Sequence, residues 1–259
     1  MRIKALLLSG IIVLLGPAVY GDAVKPVSEL RLGSEKVFHY TAKKFGVPLL
    51  HACIRINCGS GEQGKPVCEV EASVDSRNYL GFLFRMNNRF ISTMEAEGCT
   101  PIRYVKVIDQ EGLLVARKKY LQTLTFDHLN QKVLVEHTGK KEKQEVFLPP
   151  HTYDPLSMFA YHYFKRELQP EETIHMSIYD GVKVRQMVFH SKREKVRSNR
   201  LGEVQAIRIE STTSFSAFGD KEGVIRIWYS VGGDRIPISM ELDLPVGDVR
   251  FDLEEMKES

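Results

Sequence analysis

Apolar and polar residues alternate along most of this 259-residue chain, and that period of two restricts its fold more than any other feature. Ile236, Ile238, Met240, Leu242 and Leu244 alternate with Pro237, Ser239, Glu241 and Asp243. Ile54, Ile56 and Cys58 alternate with Arg55 and Asn57, and Val70, Ala72 and Val74 with Glu69, Glu71 and Ser73. A helix cannot keep such a set on one side, whereas a strand sends successive side chains to opposite faces. Gly, Asn and Asp turns separate the segments at intervals of about ten residues. The pattern predicts a mainly β protein: an antiparallel curved sheet, built as an open half-barrel or a sandwich, rather than alternating β/α units.

One stretch changes period. Asp154 reads as an N-cap and Pro155 as a first helical residue. Leu156, Phe159, Ala160, Tyr163 and Phe164 then form an apolar stripe, and Lys165 and Arg166 suit the last turn. A single central helix over about 154–167 is expected to pack on the sheet by that stripe, between strand-rich halves at 34–148 and 172–254.

The N-terminus carries an address. Arg2 and Lys4 precede an apolar and small-residue run from Ala5 to Val19, followed by Tyr20-Gly21-Asp22-Ala23. This is the pattern of a cleavable secretory signal peptide over 1–21, with cleavage after Gly21 or after Ala23 both fitting. A linker (22–33), a β-rich domain (34–254) and a tail (255–259) follow. The expected compartment is the periplasm. The apolar run is short for a membrane span of ~20 residues and no later segment approaches that length, so the mature chain is expected to have no transmembrane segment. Loss of Arg2 and Lys4 lowers the formal charge from +3 to +1, which removes the footing of a nucleic-acid partner.

Four cysteines, Cys53, Cys58, Cys68 and Cys99, are an even count in an exported chain and imply two disulfides with three connectivities open. Cys58 and Cys68 flank a Gly-rich loop that brings two strand ends together, which favours Cys58–Cys68; Cys53–Cys99 then follows by elimination. No C-x-x-C occurs and no histidine pair stands nearby at a ligand interval, so neither a metal nor a cofactor is expected.

Candidate chemistry is sparse. Trp228, the lone tryptophan, shares strand parity with Arg226, opposite Ile225, Ile227 and Tyr229, so that strand is buried on both sides or lines a cavity. Asp234 and Arg235 follow Val231-Gly232-Gly233; they suit a polar ligand head at a sheet rim, and equally an ordinary hairpin turn. Lys192, Arg193, Lys195, Arg197 and Arg200 form the densest basic stretch, suited to an anionic partner or to a hairpin edge protected by charge. A Ser157–His162–Asp154 catalytic set is weak, because Asp154 and Ser157 serve better as cap and first-turn residues, and no nucleophile-elbow motif occurs.

The order of Asp154-Pro155-Leu156-Ser157, Lys192-Arg193-Glu194-Lys195-Val196, Gly202, Ile227-Trp228-Tyr229-Ser230, Asp234-Arg235-Ile236-Pro237 and Gly247, with Thr125-Phe126-Asp127 earlier, resembles a bacterial exported family, domain of unknown function 3108, from Leu32 to Leu253. The four cysteines lie outside that pattern. The resemblance implies a periplasmic or outer-envelope protein with a curved antiparallel sheet similar to the half-barrels of lipoprotein carriers, and carries no catalytic residues. The expected function is a non-enzymatic envelope protein that binds a lipid-like or amphipathic molecule on the concave face. Trp228, Arg226, Asp234, Arg235 and Arg193 are its candidate ligand residues. The alternative is a module that docks another envelope protein by edge strands or the basic hairpin, and an envelope hydrolase comes third.

Overall fold

A computed structural model of the chain describes residues 33–259 apart from 62–63, 78, 80–82, 114–116, 141, 165–167, 216–219, 233–234 and 245–246, and only the backbone of Phe215. The signal-peptide and linker readings, and Lys165 and Arg166, therefore lie outside the described residues. The elements are β1 (Glu35–Lys44), β2 (Val47–Ser60), β3 (Pro66–Ser76), β4 (Phe84–Glu95), β5 (Pro101–Gly112), β6 (Lys118–Asp127), β7 (Lys132–His137), β8 (Gln144–Phe147), β9 (Thr152–Tyr153), α1 (Pro155–Phe164), β10 (Thr173–Tyr179), β11 (Val184–Ser198), β12 (Gly202–Phe215), β13 (Lys221–Ser230), β14 (Pro237–Asp243) and β15 (Val249–Glu258).

All fifteen strands form one sheet in the order β8-β7-β6-β5-β4-β3-β2-β1-β15-β14-β13-β12-β11-β10-β9. Two meanders are thus joined where the last strand returns to the first. Every pairing is antiparallel except that of β9 with β10. The two outermost strands, β8 and β9, do not pair with each other, so the sheet stays open.

The sheet curls, and α1 shows by how much. The helix contacts both β4 and β10, which stand nine strands apart in the sheet order. In a flat sheet that separation is about 43 Å at ~4.8 Å per strand, several times a helix diameter of about 10–12 Å. The sheet must therefore wrap round the helix. Phe159, Ala160, Tyr163 and Phe164 enter the main core with Phe38 and Tyr40 (β1), Ile54 (β2), Val70 (β3), Ile207 (β12), Tyr229 (β13) and Leu253 (β15). Met158 packs separately against Met176, Ile178, Met187 and Phe189 of β10 and β11. The helix packs on the sheet by the expected stripe, and its burial extends further: Ser157, Met158 and His162 on its other side are buried as well, because strands stand on both sides of it.

Local chemistry starts and stops α1. Asp154 is fully buried; its Oδ1 accepts the N–H groups of Leu156 and Ser157, and its Oδ2 accepts the Ser92 hydroxyl at 2.6 Å. Ser157 Oγ accepts the Asp154 N–H at 2.8 Å, a reciprocal cap. Ser157 is thereby spent on the helix start and the Ser157–His162–Asp154 set does not assemble. At the other end Arg235 donates to the carbonyls of His162 (3.1 Å) and Tyr163 (3.3 Å), where a cation also suits the helix dipole.

Burial raises the Asp154 carboxyl above its usual 3.8, against the hydrogen bonds from Ser92, Ser157 and Leu156. A raised folded-state value means that the group's contribution to stability is complete below the unfolded value and is lost as pH rises through the folded one. Asp154→Asn keeps a good N-cap without the charge. Its stability in urea is expected to match wild type below pH 3.8 and to exceed it as pH rises from there through the raised folded-state value, then stay level. A wild type that gains on the variant as pH rises would contradict this.

Two of the four register shifts among the described strands change which residues face the core. A bulge lies where Trp228 faces Ser239 but Tyr229 faces Pro237. Ile236 and Met240 consequently pack on the main core, while Ile238 joins Trp228 and Ala206 in a separate cluster. The strict alternation read over 236–244 is thus broken at its centre, since a bulge adds a residue and shifts the facing. A second bulge between His39 and Tyr40 shifts β15, so that Leu253 faces Tyr40 and Met256 faces Phe38. Residues 255–258, read as a tail, are the end of β15, and the three-residue step from Leu253 to Met256 hid this from a period-two reading.

Cys58 and Cys68 are directly opposite in the β2–β3 register and form a disulfide with 4.1 Å between their Cα atoms. Cys53 and Cys99 are free thiols, which corrects the pairing reached by elimination. Cys58 shares the core face with Ala52, Ile54 and Ile56, so Cys53, an odd number of residues away, faces the other side of the sheet. Cys99 is in the core with the disulfide, and the sheet itself separates the two thiols.

Candidate functional site

The residues singled out by sequence do not converge. Arg226 and Trp228 lie on the convex face, opposite Ile227 and Tyr229 of the main core. Arg226 is held between Glu210 (2.5 Å) and Glu241 (2.7 Å) on the neighbouring strands. Burial works against its charge, and the hydrogen bonds to the two carboxylates outweigh that and raise its pKa. Trp228 is buried; its indole N–H donates to Glu194, and the Arg250 guanidinium stands 5.5 Å from its ring centroid. With Lys43–Asp252 at 3.0 Å and Arg250–Asp252 at 2.8 Å, these form a ladder of alternating charges across the convex face. Arg235 caps α1, as described. Asp234 lies outside the described residues. Arg193 is exposed on the half of β11 that runs past its pairing with β10 at His190, which makes 192–198 a local edge. The basic stretch thus lies on a protruding hairpin edge.

Among the described residues, α1 fills the centre of the concave face with Phe159, Ala160, Tyr163 and Phe164. An opening of about 530 Å³ lies beside β1 and β2, lined by His39, Thr41, Lys43, His51, Arg77 and Glu255 among others, and two more lie along the seam left by the unpaired edge of β8. Toward one end, Gln122, Val135, His137, Lys140, Glu142, Lys143, Gln144 and Gly181 line a cleft of about 640 Å³. Gln122 donates to the Gly181 carbonyl at 3.0 Å, and Lys106 to that of Asp180 at 2.8 Å, which ties the interior of β5 and β6 to the β10–β11 turn. Burial lowers the Lys106 pKa, against the attraction of Asp180. The Tyr120 ring stacks on His137 at 4.8 Å, and burial raises its hydroxyl pKa. Toward the other end, a cleft of about 300 Å³ is bounded by Asp127, His128, Lys132, Leu148, His151 and Thr152 among others. There Asp127 accepts both the backbone and side-chain N–H of Asn130, and those bonds lower its pKa.

Between the two clefts runs β8, which pairs with β7 alone. Phe147 on β8 is 81% exposed and Leu129 in the β6–β7 turn is 97% exposed. The register Lys132↔Phe147, with Asp127↔Lys132 closing that turn, sets both at the same end of the seam. An unpaired strand edge beside large exposed apolar side chains is equipped to pair with an extended chain. Among the described residues, no three His, Cys, Asp or Glu side chains gather as a metal site would require. Sequence reading missed this region because edge status depends on which strand fails to find a neighbour. The Lys140-Lys141-Glu142-Lys143 run was its one local signal.

No curated protein matches the sequence. The fold is similar to the crystal structure of a β-barrel-like protein of the domain of unknown function DUF1849 from Brucella abortus, with a TM-score of 0.56 at 11% identity over 88% of this chain and 99% of that one. At that identity the likeness concerns the fold alone. The family model of DUF3108, "Protein of unknown function", matches residues 46–254, and the chain belongs to that family.

Proposed function

We propose that the protein is an exported, non-enzymatic component of the bacterial cell envelope that docks an extended segment of another envelope protein along the β8 edge. The observation that carries this reading is the pairing of a filled interior with an open edge. α1 takes the space a carried ligand would occupy, while β8 offers unpaired backbone groups next to Phe147 and Leu129. Backbone pairing supplies affinity in such strand addition, and side-chain anchors supply specificity. The N-terminal Arg2–Val19 pattern and the Cys58–Cys68 disulfide both suit an oxidising compartment outside the cytoplasm.

A photo-crosslinker at position 147 should capture the partner in intact cells. Phe147→Asp with Leu129→Asp should weaken that capture by about tenfold or more, an effect of hot-spot size. Charge reversal at Lys192, Arg193, Lys195 and Arg197 should leave it unchanged. Loss of the partner on charge reversal alone would move the docking site to the basic hairpin.

A second reading, an amphipathic molecule in the 640 Å³ cleft, is favoured by one feature: Val135, of the core cluster around Leu124, lines the cleft together with Lys140 and Lys143. Native mass spectrometry of protein from envelope extracts separates the two readings. A reproducible added mass that extracts as lipid would support this reading over strand docking.

A further inference from the structure

The antiparallel registers gather seven connections on one rim of the wrapped sheet: β1–β2, β3–β4, β5–β6, β7–β8, β10–β11, β12–β13 and β14–β15. Contacts run from turn to turn along it. The Phe45 ring comes within 3.0 Å of where a Cβ on Gly247 would stand, and Tyr79 donates its hydroxyl to the Pro48 carbonyl. The Leu113 N–H donates to the Leu83 carbonyl at 2.8 Å, and Lys183 pairs with Asp220 at 2.8 Å.

Turn apices ordinarily carry Gly, Asn, Asp, Ser or Pro. On this rim Phe45, Val47, Tyr79, Leu113 and Val182 are all exposed, Phe45 by 85% and Leu113 by 84%. Three of them stand next to a glycine of positive φ: Phe45 beside Gly46 (φ 78°), Leu113 beside Gly112 (φ 147°) at the end of β5, and Val182 beside Gly181 (φ 86°). Phe45 itself has φ 50°. A bulky side chain in that region costs about 1–2 kcal/mol, which glycine would avoid. The two-residue β1–β2 turn requires φ > 0 at both Phe45 and Gly46, so the fold dictates the conformation, but an exposed phenylalanine there returns nothing to the core. The opposite rim carries Leu129 and Phe147 together at the β8 corner and the less exposed Ile102 and Val231 elsewhere, while its β2–β3 and β11–β12 turns are polar.

Cations accompany the apolar tips. Lys44 Nζ lies 5.6 Å from the Phe45 ring centroid, exposed Arg117, Lys118 and Lys119 follow the Leu113 turn, and Lys183 follows Val182. Separate apolar projections on different turns, each with a long cationic side chain beside it, do not form the continuous face that a protein partner packs against. They suit a fluid apolar layer beneath phosphate groups, where the tips enter the acyl boundary and the cation stems lie along it. From this geometry we infer that the rim seats the protein on a phospholipid bilayer surface, with Phe45, Leu113 and Val182 as the inserted residues. Of the cations beside these tips, Arg117 is itself paired with Glu111, Lys119 with Asp109 and Lys183 with Asp220, so apolar insertion carries the binding and salt affects it little.

The inference is independent of the β8 docking, which uses other residues. The test is flotation of the mature protein with vesicles of phosphatidylethanolamine and phosphatidylglycerol. Phe45→Asp, Leu113→Asp and Val182→Asp should each lower the vesicle partition coefficient by about tenfold, equivalent to about 1.4 kcal/mol, with unchanged thermal unfolding. Val231→Asp on the other rim should leave it unaltered. Raising salt from 50 to 500 mM should change wild-type binding by no more than about fivefold. Absence of flotation, equal flotation of the triple variant, or binding abolished by salt would each overturn the proposal. So would a wild-type dimer that the same variants dissociate without any vesicle binding, which would make the rim a contact between copies.

Discussion

Phe159→Ala is expected to destabilise the protein by about 3–5 kcal/mol, the largest loss among the substitutions considered. Phe159 is buried at the centre of α1, with its ring 6.3 Å from that of Tyr163 and 6.2 Å from that of Tyr229. Tyr229 also donates its hydroxyl to the Phe159 carbonyl at 3.4 Å. Removing the ring leaves a void that strands on both sides of the helix cannot close, because each is held by its own ladder. The midpoint of urea unfolding measures the loss, and Phe159→Leu, which keeps most of the volume, should cost less than half as much. A dry apolar void of this kind takes up small aromatics, so benzene should restore part of the stability of the alanine variant and none to wild type. A loss under about 1 kcal/mol would mean that α1 lies at the edge of the core instead of filling it. The reading of a filled interior would then fall, and with it the main support for docking on β8.

The second large effect belongs to the disulfide. Cys58→Ala with Cys68→Ala is expected to cost about 3 kcal/mol, since the bridge closes a hairpin loop with a sequence separation of 10 and so limits the unfolded chain. Both sulfurs are buried in the main core, and the paired alanines also lose apolar contact there. Thiol counting tests the pairing before any substitution is made. Protein unfolded without reductant should show two thiols, and four after reduction. In the native state Cys53 should react first. Cys99 should stay silent, because burial removes it from reagent and pushes its thiol pKa well up. No thiols before reduction would establish the second bridge that the structure excludes.

Much of this architecture was legible in the sequence, and the particular residues show why. Alternation at Ile54-Ile56-Cys58 and Val70-Ala72-Val74 survives into strands with one face on the core, because a pleated strand has no other way to sort its side chains. The Asp154-Pro155 start of α1 was legible because capping is local: the groups that satisfy the first N–H donors lie within three residues. What failed was non-local. Ile238 and the 255–258 segment changed role through bulges, which arise from the fit between two strands and leave no mark on either alone. Arg226 looked like a ligand residue until cross-strand register set it between Glu210 and Glu241. Arg235 looked like one until the chain brought the end of α1 within its reach.

By itself, the sequence determined the strand periodicity, the position and start of the helix, the family and the Cys58–Cys68 pair. Each of these rests on side-chain alternation, on groups a few residues apart, or on motif order along the chain. Tertiary structure alone decided that the sheet curls round α1, that β8 keeps a free edge and that seven turns meet on one rim. These depend on how fifteen strands share hydrogen bonds and cover one apolar face, a sum over contacts distant in the chain. The residues proposed here for docking and for lipid contact, Phe147 and Phe45, take their meaning from those decisions, since exposure of an apolar side chain is settled only once every neighbour is in place.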